Sequence, residues 1–270
     1  MPELPEVEVT RRAIEPVLAG RRLTRTVLRT AALRYPLPVD LDGRIAGRTL
    51  QGVARRGKYL LLDFGHGHLL LHLGMSGSVR LVPARRPAEK HDHADLVFGV
   101  TALRLHDPRR FGALLWLEGD PAQHPLLAGL GIEPLGPAFT PQWLQTALKG
   151  RKTAIKPALM DAGLVVGIGN IYAAESLFLA GIDPRRPAGG VSAQRLARLV
   201  PAIRRTLRAA IAAGGSSLRD FSHGDGELGY FQTRHRVYGR EGLPCTRCGS
   251  PIKAIRQGQR STYFCPRCQR

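Results

Sequence analysis

Apolar positions change their period twice along this chain. Val7, Ile14 and Leu18 recur at helical spacing, Pro5 suits a first helical turn and Gly20 stops the run, so the segment predicts an N-terminal helix. From Arg22 to Glu118 the pattern shortens to apolar or alternating runs broken by Gly, Pro and Asp. Tyr59–Phe64, His68–Leu73, Ser78–Val82, Asp95–Phe98 and Ala113–Leu117 read as strands, with Gly65-His66-Gly67 as a hairpin turn. Strands spaced in this way predict a β-sandwich or barrel. The stretch 131–141, rich in Pro and Gly, reads as a linker. After it the helical period returns over 142–150, 153–162, 170–180 and a long Ala- and Arg-rich run from 192 to 213. Residues 218–235 hold Gly224, Gly226 and Gly229 without a clear period and read as a mobile loop. The fold class expected is α+β, with strands first and helices after. The divisions expected are 1–133 for the strand-rich domain with its helix, 134–140 for the linker, 141–235 for the helical domain and 236–270 for a terminal module.

Charge narrows the partners. Lys and Arg number 40 against 21 acidic residues, a net +19 that calls for a polyanion. Nucleic acid leads. An anionic membrane surface competes, but the sequence has no apolar run of about 18 residues and no signal-peptide pattern. A soluble, intracellular protein is expected, and a monomer by default, since nothing in the sequence suggests a self-complementary surface.

All four cysteines fall in the last 26 residues, as Cys245-Thr-Arg-Cys248 and Cys265-Pro-Arg-Cys268, with 16 residues between the pairs. Two such knuckles match zinc-ribbon spacing, because paired turns across a hairpin supply the four thiolates that tetrahedral zinc takes. Disulfides are the alternative, disfavoured in a reducing compartment. One closed, structural zinc ion is the expected cofactor.

Other residues allow two readings each. Removal of Met1 would make Pro2 the terminal residue, whose secondary amine titrates near about 8 and is a nucleophile that no internal residue supplies. Glu3 beside it can move a proton. The plainer reading is a Pro and acidic residues suited to a helix start. Glu3 and Glu6 share a face if the helix begins early. Lys58, at the start of an apolar strand, is a solvated charge or a phosphate or proton-delivery group beside the Pro2 amine. Gly167 and Gly169 open a turn before Asn170, and Arg151, Lys152 and Lys156 crowd the same stretch, a pattern suited to phosphate at a helix N-terminus or to an ordinary helical turn. Met75 and Phe111 sit among glycines in turn-like segments, as wedges for a base stack or as caps on the core. His91 and His93 flank Asp92 and suit phosphate contact or solvent better than metal. Arg260, between the knuckles, reaches phosphate or is one more basic surface residue.

Taken together the motifs run nearly end to end: Pro-Glu-Leu-Pro-Glu-Val-Glu, Gly-Lys-Tyr-Leu-Leu-Leu, His-Leu-Gly-Met-Ser-Gly-Ser, Glu-Lys-His-Asp-His, Asp-Pro-Arg-Arg-Phe-Gly, Lys-Pro-Ala-Leu-Met-Asp, Val-Gly-Ile-Gly-Asn-Ile-Tyr-Ala and the paired CxxC knuckles. In this order they resemble the formamidopyrimidine-DNA glycosylase family, base-excision repair enzymes for oxidised purines. The resemblance implies a two-layer β-sandwich, a helix-two-turn-helix over about residues 153–180, a zinc-finger hairpin, and duplex DNA with damaged bases or abasic sites as partner. It implies that Pro2 attacks C1′ to form a Schiff base and that Glu3 is acid/base in opening the sugar, with Glu6 an acidic neighbour. It assigns Lys58 to β-elimination and Arg260 to the following δ-elimination. Met75, Arg109 and Phe111 would fill the void left by a flipped base, and His91, Arg151, Asn170 and Arg260 would contact the DNA backbone.

Within 217–235, where the family carries its lesion-reading loop, Ser217, Ser222-His223-Gly224 and Glu227-Leu228 depart from the commoner family pattern. The competing readings are the sister branch acting on oxidised pyrimidines, and a non-catalytic zinc-ribbon DNA-binding protein.

Overall fold

The computed structural model describes residues 2–216 and 235–270. The expected loop over 218–235 therefore lies outside the described residues apart from His235. Of the described residues, 2–128 with 213–216 form one compact unit, and 129–212 with 235–270 form a second.

The first unit opens with helix α1 (Leu4–Leu18), which Glu3 caps and whose N2 position is Pro5. Val7, Ile14 and Leu18 are buried against the sheets, as their spacing predicts. The strands follow as β1 (Arg25–Leu28), β2 (Gly52–Arg56), β3 (Tyr59–Asp63), β4 (His68–His72), β5 (Ser78–Pro83), β6 (Asp92–Phe98), β7 (Thr101–His106) and β8 (Ala113–Leu117), with helix α2 (Leu41–Ile45) between β1 and β2 and a short α3 (Pro125–Ala128) after β8. They pair into two four-stranded antiparallel sheets, β1-β6-β7-β5 and β2-β3-β4-β8. Leu60, Leu62, Leu69, Leu71 and Leu114 of one sheet share a core with Val79, Ala94, Leu96, Phe98, Leu103 and Leu105 of the other. This is the two-layer sandwich. On the outer face of β6, buried Asp95 accepts from Arg104 of β7 at 2.8 Å and from Arg29 at 2.5 Å, so a charged layer seals that sheet instead of solvent.

The second unit is helical: α4 (Pro141–Leu148), α5 (Ile155–Leu159), α6 (Asn170–Ala180) and α7 (Ala193–Ala212). α6 begins and ends where Gly169 and Gly181 place it, the latter in the left-handed conformation that ends a helix cleanly. The run expected over 153–162 shortens to α5, because Asp161 turns the chain by accepting from the Gly163 N–H at 3.0 Å. The Pro/Gly-rich stretch is held down within this unit: Arg204 of α7 donates to the carbonyls of Gly136 at 2.7 Å and Phe139 at 3.0 Å, and Phe139 is fully buried. Strands β9 (Lys253–Gln257) and β10 (Arg260–Phe264) form the terminal hairpin. Too small for a core of its own, it shares one with α6, where Phe178 and Ala174 meet Val237, Ile252, Cys245 and Cys265.

Candidate active site and nucleic-acid interface

In the first unit α1 presents the N-terminal residues. Pro2, Glu3 and Glu6 are all buried. The Glu3 N–H donates to Glu6 Oε2 at 2.8 Å, and the Ser216 N–H donates to Glu6 Oε1 at 2.8 Å. Both Glu6 oxygens are thus engaged by backbone, so Glu6 fixes the cap and the return of the chain at 215–216. Glu3 is the N-cap outside the helix, so the two glutamates meet through the capping box and not on a shared helical face.

Lys58 sits on the turn between β2 and β3, half-buried, in a hairpin whose last pair is Arg56 with Tyr59. The Tyr59 ring lies 4.8 Å from that of His72, its partner on β4. Burial, together with the charges of Lys58 and Arg34, pushes His72 down to about 4. His72 Nδ1 accepts the Gly74 N–H at 3.0 Å, so the neutral ring carries its proton on Nε2 as a donor. Nothing in the sequence marks His72 beyond its place before the Leu-Gly-Met turn.

Two loops meet beside it. Asp107 is fully buried and accepts from the N–H groups of Gly112 at 2.8 Å and Arg109 at 3.3 Å, which shapes the turn that carries Arg109, Arg110 and Phe111. Gly74 has φ +65, and a Cβ there would fall 2.5 Å from the Gly112 nitrogen, so the loops of Met75 and Phe111 touch backbone to backbone. Met75 is half-buried and Phe111 is 45% exposed, with the Arg109 guanidinium 4.9 Å above its ring. An aromatic left in water under a stacked cation is not a core cap. His91 lies nearby with φ +74; its carbonyl accepts the Asp107 N–H at 3.0 Å and its ring is 6.0 Å from that of His106.

In the second unit Asn170 starts α6, and its Oδ1 accepts from Lys156 Nζ at 2.5 Å. Lys156, grouped in the sequence with the surface cations Arg151 and Lys152, is instead fully buried and also donates to Thr262 Oγ1 at 2.7 Å and to the Ser261 carbonyl at 3.0 Å. It is no phosphate-binding surface charge. Its role is to tie α5 and α6 to β10, a link invisible at this sequence separation. Arg151 is exposed and paired with Asp161 at 2.9 Å. Arg260 is exposed at the first position of β10. Glu175 of α6, buried and not singled out by the sequence, accepts the N–H groups of Val237 and Tyr238, each at 2.9 Å, and fixes the entry to the zinc module.

The four cysteine sulfurs lie within 4.8 Å of one another. Cys245 and Cys268 are 3.9 Å apart and Cys248 and Cys265 3.5 Å, too far for disulfides and near the ~3.8 Å edge of a tetrahedron with zinc–sulfur bonds of about 2.3 Å. Hydrogen bonds from Ser250 pull the Cys248 thiol down to about 6, while burial pushes Cys265 up and Cys268 up to about 12, so the fit to zinc rests on the sulfur geometry. The four residues fit one structural zinc ion. Among the described residues no other cluster has metal-binding geometry, the His91–His93 segment included.

A sandwich that buries Pro2 and Glu3 ahead of a capped helix, joined in sequence to a helical unit with a four-cysteine zinc hairpin, defines the class of helix-two-turn-helix, zinc-finger DNA glycosylases. The chain matches the formamidopyrimidine-DNA glycosylase N-terminal domain over residues 1–114, the H2TH domain of the same enzymes over 130–222, and a zinc finger found in FPG and IleRS over 242–270. It belongs to the formamidopyrimidine-DNA glycosylase family. A formamidopyrimidine-DNA glycosylase of Aromatoleum aromaticum is 61% identical over the whole of both chains, and one of Thiobacillus denitrificans 59%. The crystal structure of the MutM (Fpg) protein of Thermus thermophilus is similar at TM-score 0.89, with 43% identity over 99% of this chain and 98% of that one. The Lactococcus lactis Fpg mutant G226P in complex with Fapy-dG-containing DNA is similar at TM-score 0.92, with 35% identity over 99% of each chain.

Proposed function

We propose that this chain is a bifunctional DNA glycosylase/AP lyase of base-excision repair that removes 8-oxoguanine and formamidopyrimidines from duplex DNA. Freed of Met1, the Pro2 nitrogen attacks C1′ of an extruded nucleotide. The C1′–N bond forms as the glycosidic bond breaks, and the base leaves with that electron pair and takes up the proton that the Pro2 nitrogen gives up. Glu3 delivers a proton to the sugar ring oxygen as C1′–O4′ opens, leaving an iminium. That cation acidifies C2′, so loss of the C2′ proton expels the 3′ phosphate, with Lys58 beside the departing oxygens. A second elimination, with Arg260 at the phosphate, expels the 5′ phosphate. Met75, Arg109 and Phe111 occupy the gap in the stack and recover part of the few kcal/mol of unstacking. His91, Arg151 and Asn170 contact the backbone. Zinc, held by Cys245, Cys248, Cys265 and Cys268, supplies shape alone. The enzyme acts in the cytoplasm on nucleoid DNA as a monomer; among the described residues no helix is long and apolar enough to cross a membrane.

The observation that carries this reading is the buried Pro2-Glu3 start of α1, locked through Glu6 in the same unit as the exposed Phe111 loop. Single-turnover release of base from duplexes with 8-oxoguanine or thymine glycol tests it. Faster release of 8-oxoguanine is expected; preference for thymine glycol would move the chain to the oxidised-pyrimidine branch, and release of neither would leave a DNA-binding protein.

A further inference from the structure

A charge network runs from α1 to the hairpin of Lys58. Glu8 lies on α1, five residues after the Glu3 cap, and is 8% exposed. Its Oε1 accepts from Arg11 at 3.0 Å and Arg12 at 2.8 Å, and its Oε2 accepts from Arg11 Nε at 3.1 Å and from Arg55 Nε of β2 at 3.1 Å. Burial works to raise the Glu8 pKa, but the hydrogen bonds of these guanidinium groups overcome it and hold the carboxyl at about 2, so the anchor is charged at any working pH.

Arg55 has a second hand. Its Nη1 donates to the Gly57 carbonyl at 3.0 Å. Gly57 and Lys58 are the whole turn between β2 and β3, and Gly57 has φ +57. In a two-residue turn the Gly57–Lys58 peptide plane sets the direction in which the Lys58 side chain leaves the backbone. Arg55 grips the carbonyl of that peptide. One guanidinium, itself 11% exposed, therefore joins the helix that carries Pro2 and Glu3 to the peptide that carries Lys58.

We propose that Arg55, seated on Glu8, is a positioning residue that sets Lys58 against the Pro2 end of α1 for the elimination step. The inference rests on the reading that Pro2 forms the imine and Lys58 serves elimination. Arginine is required because two donors in a fixed fork must meet a carboxylate and a carbonyl together, which a lysine ammonium on a flexible stem cannot reproduce. Arg55 touches no reacting atom. Its effect falls on elimination and spares the imine, since α1 keeps its own cap.

The test uses zinc-loaded, full-length protein with Met1 removed, comparing wild type with Arg55→Gln, Arg55→Lys, Glu8→Gln and Lys58→Ala. Borohydride trapping on abasic duplex reads the imine; strand nicking without alkali reads elimination, followed across pH. Arg55→Gln should trap within about threefold of wild type yet nick at least roughly tenfold more slowly, the scale of a misplaced catalytic group. Arg55→Lys and Glu8→Gln should fall between, with the same split and an altered pH profile of nicking. Trapping and nicking that decline in parallel with an unchanged pH profile would overturn the proposal in favour of plain loss of structure, as would wild-type nicking in Arg55→Gln. Should Arg55→Gln fail to fold, Arg55→Lys decides on the same criteria. Undiminished nicking in Lys58→Ala would sink the underlying reading, whereas slow nicking there beside normal nicking in Arg55→Gln would sink this inference alone.

Discussion

Replacing Lys156 by methionine removes an ammonium that the structure buries completely. Its Nζ gives hydrogen bonds to Asn170 Oδ1 at 2.5 Å, Thr262 Oγ1 at 2.7 Å and the Ser261 carbonyl at 3.0 Å. Hydrogen bonds from a charged donor contribute about 1.5 to 3 kcal/mol each, but dropping the desolvation of the ammonium returns part of that. Methionine fills nearly the same volume, so the cost comes from three acceptors left without their donor. The net loss is expected at roughly 3 to 5 kcal/mol, or about 6 to 20 °C in the melting of a unit of this size. The loss should fall on the second unit, because these three acceptors lie on α6 and β10. Calorimetry on zinc-loaded protein should show that unit melting earlier. Zinc release to a chromophoric chelator should quicken, since Ser261 and Thr262 sit between the two cysteine pairs. A shift worth less than about 1 kcal/mol with unchanged zinc release would refute the argument, because a buried ammonium with three partners cannot be that cheap to delete.

Three further outcomes are expected. Cys265→Ser should lose zinc and DNA binding together, since the metal holds the Arg260 hairpin; full activity after chelation would remove the zinc module from the account. The Glu8 carboxyl lies at about 2 when folded, below its ordinary 4.5, so its contribution is complete above pH 4.5 and disappears as pH falls through about 2. The shift corresponds to about 3 kcal/mol, trimmed to about 2 by solvent around exposed Arg12, and Glu8→Gln should flatten acid unfolding in that window by this amount; an unchanged acid limb would contradict it. DNA affinity should drop roughly a thousandfold between about 50 and 200 mM salt if six or so phosphates are neutralised, and a flat response would rule out a phosphate-dominated interface.

What the sequence made legible was local. The paired CxxC spacing alone specified a four-sulfur cluster, and the helical period over 170–180 marked the extent of α6. The Pro2-Glu3 start stood out as a would-be terminal amine beside a carboxylate, and the Met75 and Phe111 turns as large side chains among glycines. Strands β1 and β2 were not legible: Arg25–Leu28 and Gly52–Arg56 are half-buried, and their alternation is hidden by arginines. Lys156 looked like a phosphate ligand beside Arg151 and Lys152, because burial by Thr262, 106 residues away, leaves no mark on its neighbours. The Glu8–Arg55 pair spans 47 residues and was hidden for the same reason. His72 was missed because a single histidine ending an apolar strand has no period; its surroundings include Lys58 and Arg34, which only folding brings near it.

The central claim is that the Pro2 amine carries the chemistry. Protein whose mass shows that Met1 is gone should be treated with borohydride on an abasic duplex, digested and mapped. The account requires one covalent adduct per chain, located on Pro2 and absent from protein that retains Met1. An adduct on a lysine, or equal trapping with Met1 in place, would contradict it.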